Sequence, residues 1–285
     1  MQSNNPVFRN SEGFSKNAYG NPTYAGNGQA HSGYGSGSGY SDPSTWGVGT
    51  PGAPTRTAKP MTIDSVVQAT AISLAVVIVA AAATWIVTPD VTDPTVDISS
   101  LAAAGTIGAL GAFALSWVNS FKRVISPALV LIYAALQGVA LGAFSKLIDG
   151  AYGGGLVVPA VAGTFAAFAG TLAAYKFFDI KVGNKFRMIV MAGVFGMIGL
   201  SILELVLSMF GAGLGLFGIG GIGLLTAVAG LALGIFMLVL DFDFVENGIR
   251  NGLDERESWR AAFAMTVSLV WIYQNLLRIL AAFRN

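Results

Sequence analysis

The sequence predicts an all-α integral membrane protein, a bundle of seven spanning helices behind a disordered N-terminal tail. Three observations lead there. Only 11% of the 285 residues are charged, against about 25% in a soluble domain. The mean hydropathy is +0.65, and the apolar residues fall in runs of about 20, the length that crosses a bilayer as a helix. Finally, composition changes sharply near residue 60: the stretch before it is rich in Gly, Ser, Asn and Tyr, and the apolar runs begin only after it.

The same composition excludes several function classes. A net charge of +1 is too small to suggest nucleic-acid binding. With no cysteine, neither a disulfide framework nor a thiolate metal site is available. The one histidine, His31, lies in the tail, and no HExxH motif or convincing nucleophile–base pair occurs. The reading is therefore of a protein that is not an enzyme and carries no cofactor.

Residues 1–60 contain GNPTYAGNGQAHSGYGSGSGYSDPSTWGVGTPGAP. Such a segment cannot bury enough apolar area to offset its ordering entropy, so it reads as a disordered cytoplasmic tail. It is either a solvated tether or, through Tyr19, Tyr24, Tyr34 and Tyr40, a self-associating segment. No apolar core follows Met1, so the start does not read as a signal peptide.

Residues 61–285 form the transmembrane domain, with helices expected at about 65–87, 101–118, 127–147, 157–177, 188–207, 221–245 and 261–283. Asp64 stands before the first as a candidate cap, and Pro89 lies just past its end, where a helix stops. An acidic loop with Asp90, Asp93 and Asp97 leads to the second helix; the fifth carries Glu204 near its end.

Lys and Arg in short loops set orientation. The loops after helices 2, 4 and 6 hold Lys122 and Arg123; Lys176, Lys181, Lys185 and Arg187; and Arg250, Arg256 and Arg260, whereas those after helices 1, 3 and 5 hold only Lys146. The N-terminus and the even-numbered loops are accordingly expected in the cytoplasm. Seven crossings would put the C-terminus outside, unless helix 7 is re-entrant.

Small residues mark where helices meet. Gly138 and Gly142 form a GxxxG in helix 3, Gly230 and Gly234 form another in helix 6, and Gly193, Gly196 and Gly199 recur in helix 5. Bare backbones there allow close approach; lining a pore is the sharper alternative. Gly213, Gly215 and Gly218 spell GxGxxG, but between membrane helices rather than in a βαβ unit, so no dinucleotide site is expected.

The stretch 240–278 concentrates the chemistry: LDFDFVENGIRNGLDERESWRAAFAMTVSLVWIYQNLLR. The run of helix 6 ends in Asp241 and Asp243, and deep in the run of helix 7 sit Gln274, Asn275 and Arg278. Polar groups inside hydrocarbon are costly and point to a polar pathway or a buried pair.

Three blocks carry a resemblance: FKRVISPALVLIYAALQGVALGAFS from Phe121, AYKFFDIKVGNKFR from Ala174, and the 240–278 stretch just quoted. Together, in this order, they resemble the bacterial branch of the Bax inhibitor-1/YccA-like family, the transmembrane Bax inhibitor motif proteins, over about residues 61–283. The early SNNPVF is similar to the start of actinobacterial members. The resemblance implies a seven-helix bundle with helix 7 central and a pH-sensitive calcium leak sensed by an acidic pair between helices 6 and 7. The helix 6 acid carries over to Asp241. The helix 7 acid falls, by a Tyr-x-acid pattern, on Tyr273-Gln274-Asn275, where this chain has an amide. The family's arginine latch on helix 2 has no counterpart between residues 101 and 118. Arg278 either takes that role, sharing a face with Trp271 and Asn275, or snorkels to the outer interface. Gln137 stands where the wider family often has Glu.

The remaining acids have two readings each. Asp243 and Glu246 sit at the cytoplasmic interface or in a conduction path; Glu204 reaches the outer headgroups or forms the outer mouth of that path. Calcium prefers several oxygen ligands, and Asp241, Asp243, Glu246 and Asn275 are the candidates to supply some. Burial disfavours the charged form of a carboxylate, so Asp241 is expected to be the main proton-sensing or ion-contacting group, with Asn275 as its neutral partner. The expected function is a multi-pass plasma-membrane protein leaking a cation, calcium foremost, under pH control in ion homeostasis or stress response. The alternative is a non-conducting regulator or scaffold that binds membrane proteases or stress factors. Beyond the lipid bilayer, partners of that kind are expected, and no nucleic acid.

Overall fold

The computed structural model describes residues 59–91, 97–178 and 180–284. The expected tail lies outside these except for Lys59 and Pro60. The described residues form seven α-helices: α1 (Ile63–Val87), α2 (Ser99–Phe121), α3 (Pro127–Ala151), α4 (Val157–Phe177), α5 (Asn184–Met209), α6 (Gly221–Arg250) and α7 (Ser258–Ala282), the last entered through a 3-10 turn, Glu255–Glu257. Each is long and apolar enough to cross a membrane. At 25 residues, or about 37 Å, α7 has the length of a full crossing rather than of a re-entrant half-helix.

Several ends differ from expectation for one physical reason. α5 begins at Asn184 and α6 runs on to Arg250, because a helix continues past the hydrocarbon once its charged side chains are hydrated. Arg187, expected in a loop, is therefore helical. At the start of α1 the cap is Thr62, not Asp64. Thr62 Oγ1 accepts from the Ser65 N–H while Ser65 Oγ accepts from the Thr62 N–H, a reciprocal capping box. α2 is led in by Asp97, which takes the Ser99 N–H and hydroxyl at 2.8 and 2.9 Å; these two donors hold its carboxyl below its ordinary pKa.

Helix α7 is the axis of the bundle. In its most apolar window 61% of residues are buried, against 11–44% in the other six, and it packs against α1, α3, α4 and α6. Met265, Leu269 and Ile272 meet Leu238 and Phe242 of α6 and Val66 of α1. Phe263 stands edge-on to Tyr133 of α3 at 4.9 Å, and Leu277 and Ala281 pack on Ala160 of α4. The outer helices present large apolar side chains outward, among them Phe113, Trp117, Phe195 and Ile202. This is the surface of a protein that contacts the lipid bilayer, where apolar side chains need no cover.

The two GxxxG pairs are helix contacts. A Cβ at Gly138 would strike the Val77 carbonyl, and one at Gly142 would lie 2.9 Å from Ala81 Cα, so α3 lies backbone to backbone on α1. A Cβ at Gly230 would meet Asn275, and one at Gly234 would lie 2.7 Å from Ile272 Cγ1, which seats α6 on α7. The α5 glycines split: Gly193 faces Leu233 of α6, whereas Gly196 and Gly199 have nothing within 4 Å.

Helices α1 and α7 start side by side. Ser65 and Ser258 share a hydroxyl hydrogen bond of 2.7 Å. Pro60 and Asp254 form an antiparallel bridge, Met61 N donates to Leu253 O at 2.7 Å, and Glu255 N donates to Lys59 O at 2.8 Å. The chain entering α1 thus staples the turn between α6 and α7. At the other end of α1, Lys146 donates to the carbonyls of Trp85 and Thr88 at 2.7 Å each. Its charge sits at the negative end of α1, which accounts for a lysine on the loop side that is otherwise poor in basic residues.

Candidate functional site

The acids at the end of α6 fan outward to three different neighbours. Asp241 turns to α7, where Ser268 Oγ donates to its Oδ2 at 2.6 Å; Ser268 itself is 1% exposed. Two and five residues further on, about 200° and 140° round the helix, Asp243 and Glu246 point elsewhere. Asp243 is buried and ion-paired with Arg187 of α5. Glu246 is exposed, accepts the Tyr175 hydroxyl of α4 at 2.6 Å and pairs with Arg250 one turn on at 2.5 Å. Periodicity separates Asp241 from the other two; Asp243 and Glu246, about 60° apart round the helix, part because Arg187 of α5 takes the one and Tyr175 of α4 the other.

Asn275 and Arg278 lie well away from these acids. Asn275 nests against Gly230, eleven residues from Asp241 and so about 16 Å along α6. Its Nδ2 donates to Trp271 O at 2.8 Å, and Trp271 Nε1 donates to Gly230 O at 2.7 Å. Arg278 is buried and faces inward. Its Nη1 donates to Asn275 Oδ1 at 3.4 Å. Nη2 reaches the carbonyls of Leu216, Gly218 and Gly223 and the Thr226 hydroxyl at 3.1–3.2 Å, and the guanidinium lies 5.3 Å over the Phe217 ring. A buried cation costs free energy unless donors and acceptors match. Here backbone carbonyls of the α5–α6 connection supply the match in place of a carboxylate, and Nε has no partner.

Glu204 braces that same connection from α5, taking the N–H groups of Leu214 and Gly215 at 3.1 and 2.8 Å. The GxGxxG stretch is thus a turn clasped between Glu204 and Arg278, with Gly215 at φ 71°, a conformation that suits glycine. Gln137 is half-buried on α3 and hydrogen-bonds to none of the other site residues.

Two expectations need correction. Asn275 is not the partner of Asp241; antiparallel packing of α6 on α7 brings Ser268 there, two turns before Asn275. Arg278 neither latches an acid nor snorkels, because the carbonyls of residues 216–223 fold over it. The proposed calcium ligands Asp241, Asp243, Glu246 and Asn275 do not converge, and among the described residues no three His, Cys, Asp or Glu side chains gather as a metal site. Sequence reasoning passed over Ser268, Arg187, Tyr175 and Thr226. Ser268 had a signal: it lies seven residues before Asn275 on the same face of α7. The other three needed the tertiary contacts.

What the arrangement can do chemically follows from its isolation. Among the described residues Asp241 has one neutral donor and no cation bonded to it, so its carboxylate is the acid at this end of α6 left to exchange a proton or meet an ion. Asp243 and Glu246 each carry an ion pair already.

Comparison with known proteins agrees with this architecture. A family model described as Bax inhibitor 1 like matches residues 5–285, a longer stretch than the resemblance in the helical part alone. No curated protein matches the chain. The chain belongs to the Bax inhibitor 1 like family, as a multi-pass membrane protein of seven helices with α7 at its centre.

Proposed function

We propose that the protein is a pH-sensitive cation leak of the cell membrane, with calcium as the permeating ion and ion homeostasis or stress response as its setting. The observation that carries this reading is Asp241, a carboxylate turned from α6 onto the central helix with Ser268 as its donor. Holding such a charge inside a helical bundle is costly, so proton uptake and contact with a cation compete for the same group. The reading places the N-terminus and the even-numbered loops in the cytoplasm and includes no catalytic step. Calcium enters as cargo, with no resident cofactor. Purified protein in liposomes loaded with a calcium dye should raise calcium entry severalfold over empty liposomes.

One observation favours a second reading, a non-conducting regulator that binds membrane proteases or stress factors. Arg278 holds a cation inside α7 with neutral oxygen partners, main-chain carbonyls, the Asn275 amide and the Thr226 hydroxyl, and an unneutralised positive charge opposes the passage of calcium. Absence of dye signal from folded, reconstituted protein would select this reading.

A further inference from the structure

Helices α1 and α4 both pack on α7, and between them lies an open cleft in two parts. The larger, ≈ 750 Å³, lies toward the start of α1 and the end of α4; the smaller, ≈ 270 Å³, lies toward the other face, and Leu74 lines both. Leu74 is eleven residues into α1, about 16 Å from its start, which is half the thickness of a bilayer's hydrocarbon. The larger part therefore spans one leaflet.

The walls suit hydrocarbon rather than ions. Val67, Ala71, Leu172 and Met265 line the larger part, and the one hydroxyl on that wall, Thr70, is turned to Met265 Sδ at 3.7 Å. In the smaller part Ser145 and Tyr273 bond each other at 2.7 Å, and Thr164 donates to Ala160 O at 2.8 Å. The remaining polar side chain on that wall, Trp85, offers an indole N–H, a donor that a cation cannot use.

The mouth is different. Tyr175, Lys176, Glu246 and Arg250 surround it. Glu246 is engaged by Tyr175 and Arg250, while Lys176 is exposed and forms no ion pair among the described residues. The mouth thus carries one net positive charge at the depth of a lipid headgroup, above an apolar slot one leaflet deep. An anionic group on an apolar tail complements it.

We propose that this cleft holds a single glycerophospholipid, its phosphate against Lys176 and Arg250 and one acyl chain lying between α1 and α4 on α7. The test is native mass spectrometry of the full chain released from nanodiscs of phosphatidylethanolamine and phosphatidylglycerol. Wild type should retain one phospholipid. Lys176→Gln with Arg250→Gln should lower retention severalfold, and Ala71→Trp, which fills the slot, should abolish it. The first variant alters exposed side chains only, so it keeps the test open if Ala71→Trp fails to fold. Equal retention in wild type and variants, a wild type that retains no lipid, or recovery of a fatty acid instead of a phospholipid would overturn the proposal.

Discussion

Ser268 on α7 donates to Asp241 on α6 over 2.6 Å, and this bond joins the central helix to the acid that ends the apolar run of α6. Ser268 lies two turns before Asn275, the position that the family pattern pointed to. The α6–α7 contact therefore has two separate polar centres, an acidic one at Asp241 and a basic one at Arg278.

Removing the donor tests the first centre. Ser268→Ala should lower stability by about 1–2 kcal/mol, the range for a hydrogen bond to a charged acceptor inside a membrane bundle. In an Asp241→Asn background the same change should cost less, because the charge that needed the donor is gone. A double-mutant cycle of thermal unfolding in detergent reads the coupling; strict additivity would mean that the two side chains do not interact.

The second centre holds the α5–α6 connection. Arg278→Gln should free the loop and cost about 2 kcal/mol or more, since several charge-assisted hydrogen bonds are lost. A cysteine at the exposed Leu214 should then react faster with a water-soluble maleimide. An unchanged rate would show that Glu204 alone fixes the loop.

Helix packing gives a contrast within one residue type. Gly142→Leu drives a side chain into the Ala81 backbone and should destabilise the bundle by about 1–3 kcal/mol as overpacking. Gly196→Ala faces open space inside a helix and should leave stability unchanged or raise it by up to about 1 kcal/mol, the helix preference of alanine over glycine. Thermal melts of the two variants would invert this order if α5, rather than α3, made the tight contact.

Orientation is open to labelling in intact cells. Lys185→Cys and Ala151→Cys replace exposed residues at opposite ends of the bundle. Under the proposed topology, an impermeant thiol reagent reaches Ala151→Cys from outside and leaves Lys185→Cys unlabelled. The reverse pattern means an inverted protein.

Much of the fold was legible because bilayer crossing imposes length and apolarity on each helix, and because GxxxG pairs such as Gly138 and Gly142 mark contacts directly. The site was less legible. Asp241 stood out as an acid ending an apolar run, but its partner depended on the antiparallel register of α6 on α7, and a family pattern written in sequence pointed two turns too far along. Arg278 stood out as well, and Asn275 on its face is a partner, yet most of its bonds go to main-chain carbonyls of residues 216, 218 and 223, which no side-chain pattern can announce. Arg187 was hidden by a misplaced helix start, since a charged first turn looks like loop until Asp243 is seen to need it.

The most direct measurement of the central claim is calcium flux in proteoliposomes between about pH 5 and 8, a window that covers carboxylates displaced by burial, for wild type, Asp241→Asn and Ser268→Asp. Wild type should conduct with a pH-dependent rate, and Asp241→Asn should flatten that dependence. Ser268→Asp should steepen it and move it toward neutral pH, because two adjacent carboxylates come to share a proton. A wild-type pH profile retained in both variants, with the proteins still folded, would remove Asp241 from the mechanism and leave the non-conducting regulator as the function of this bundle.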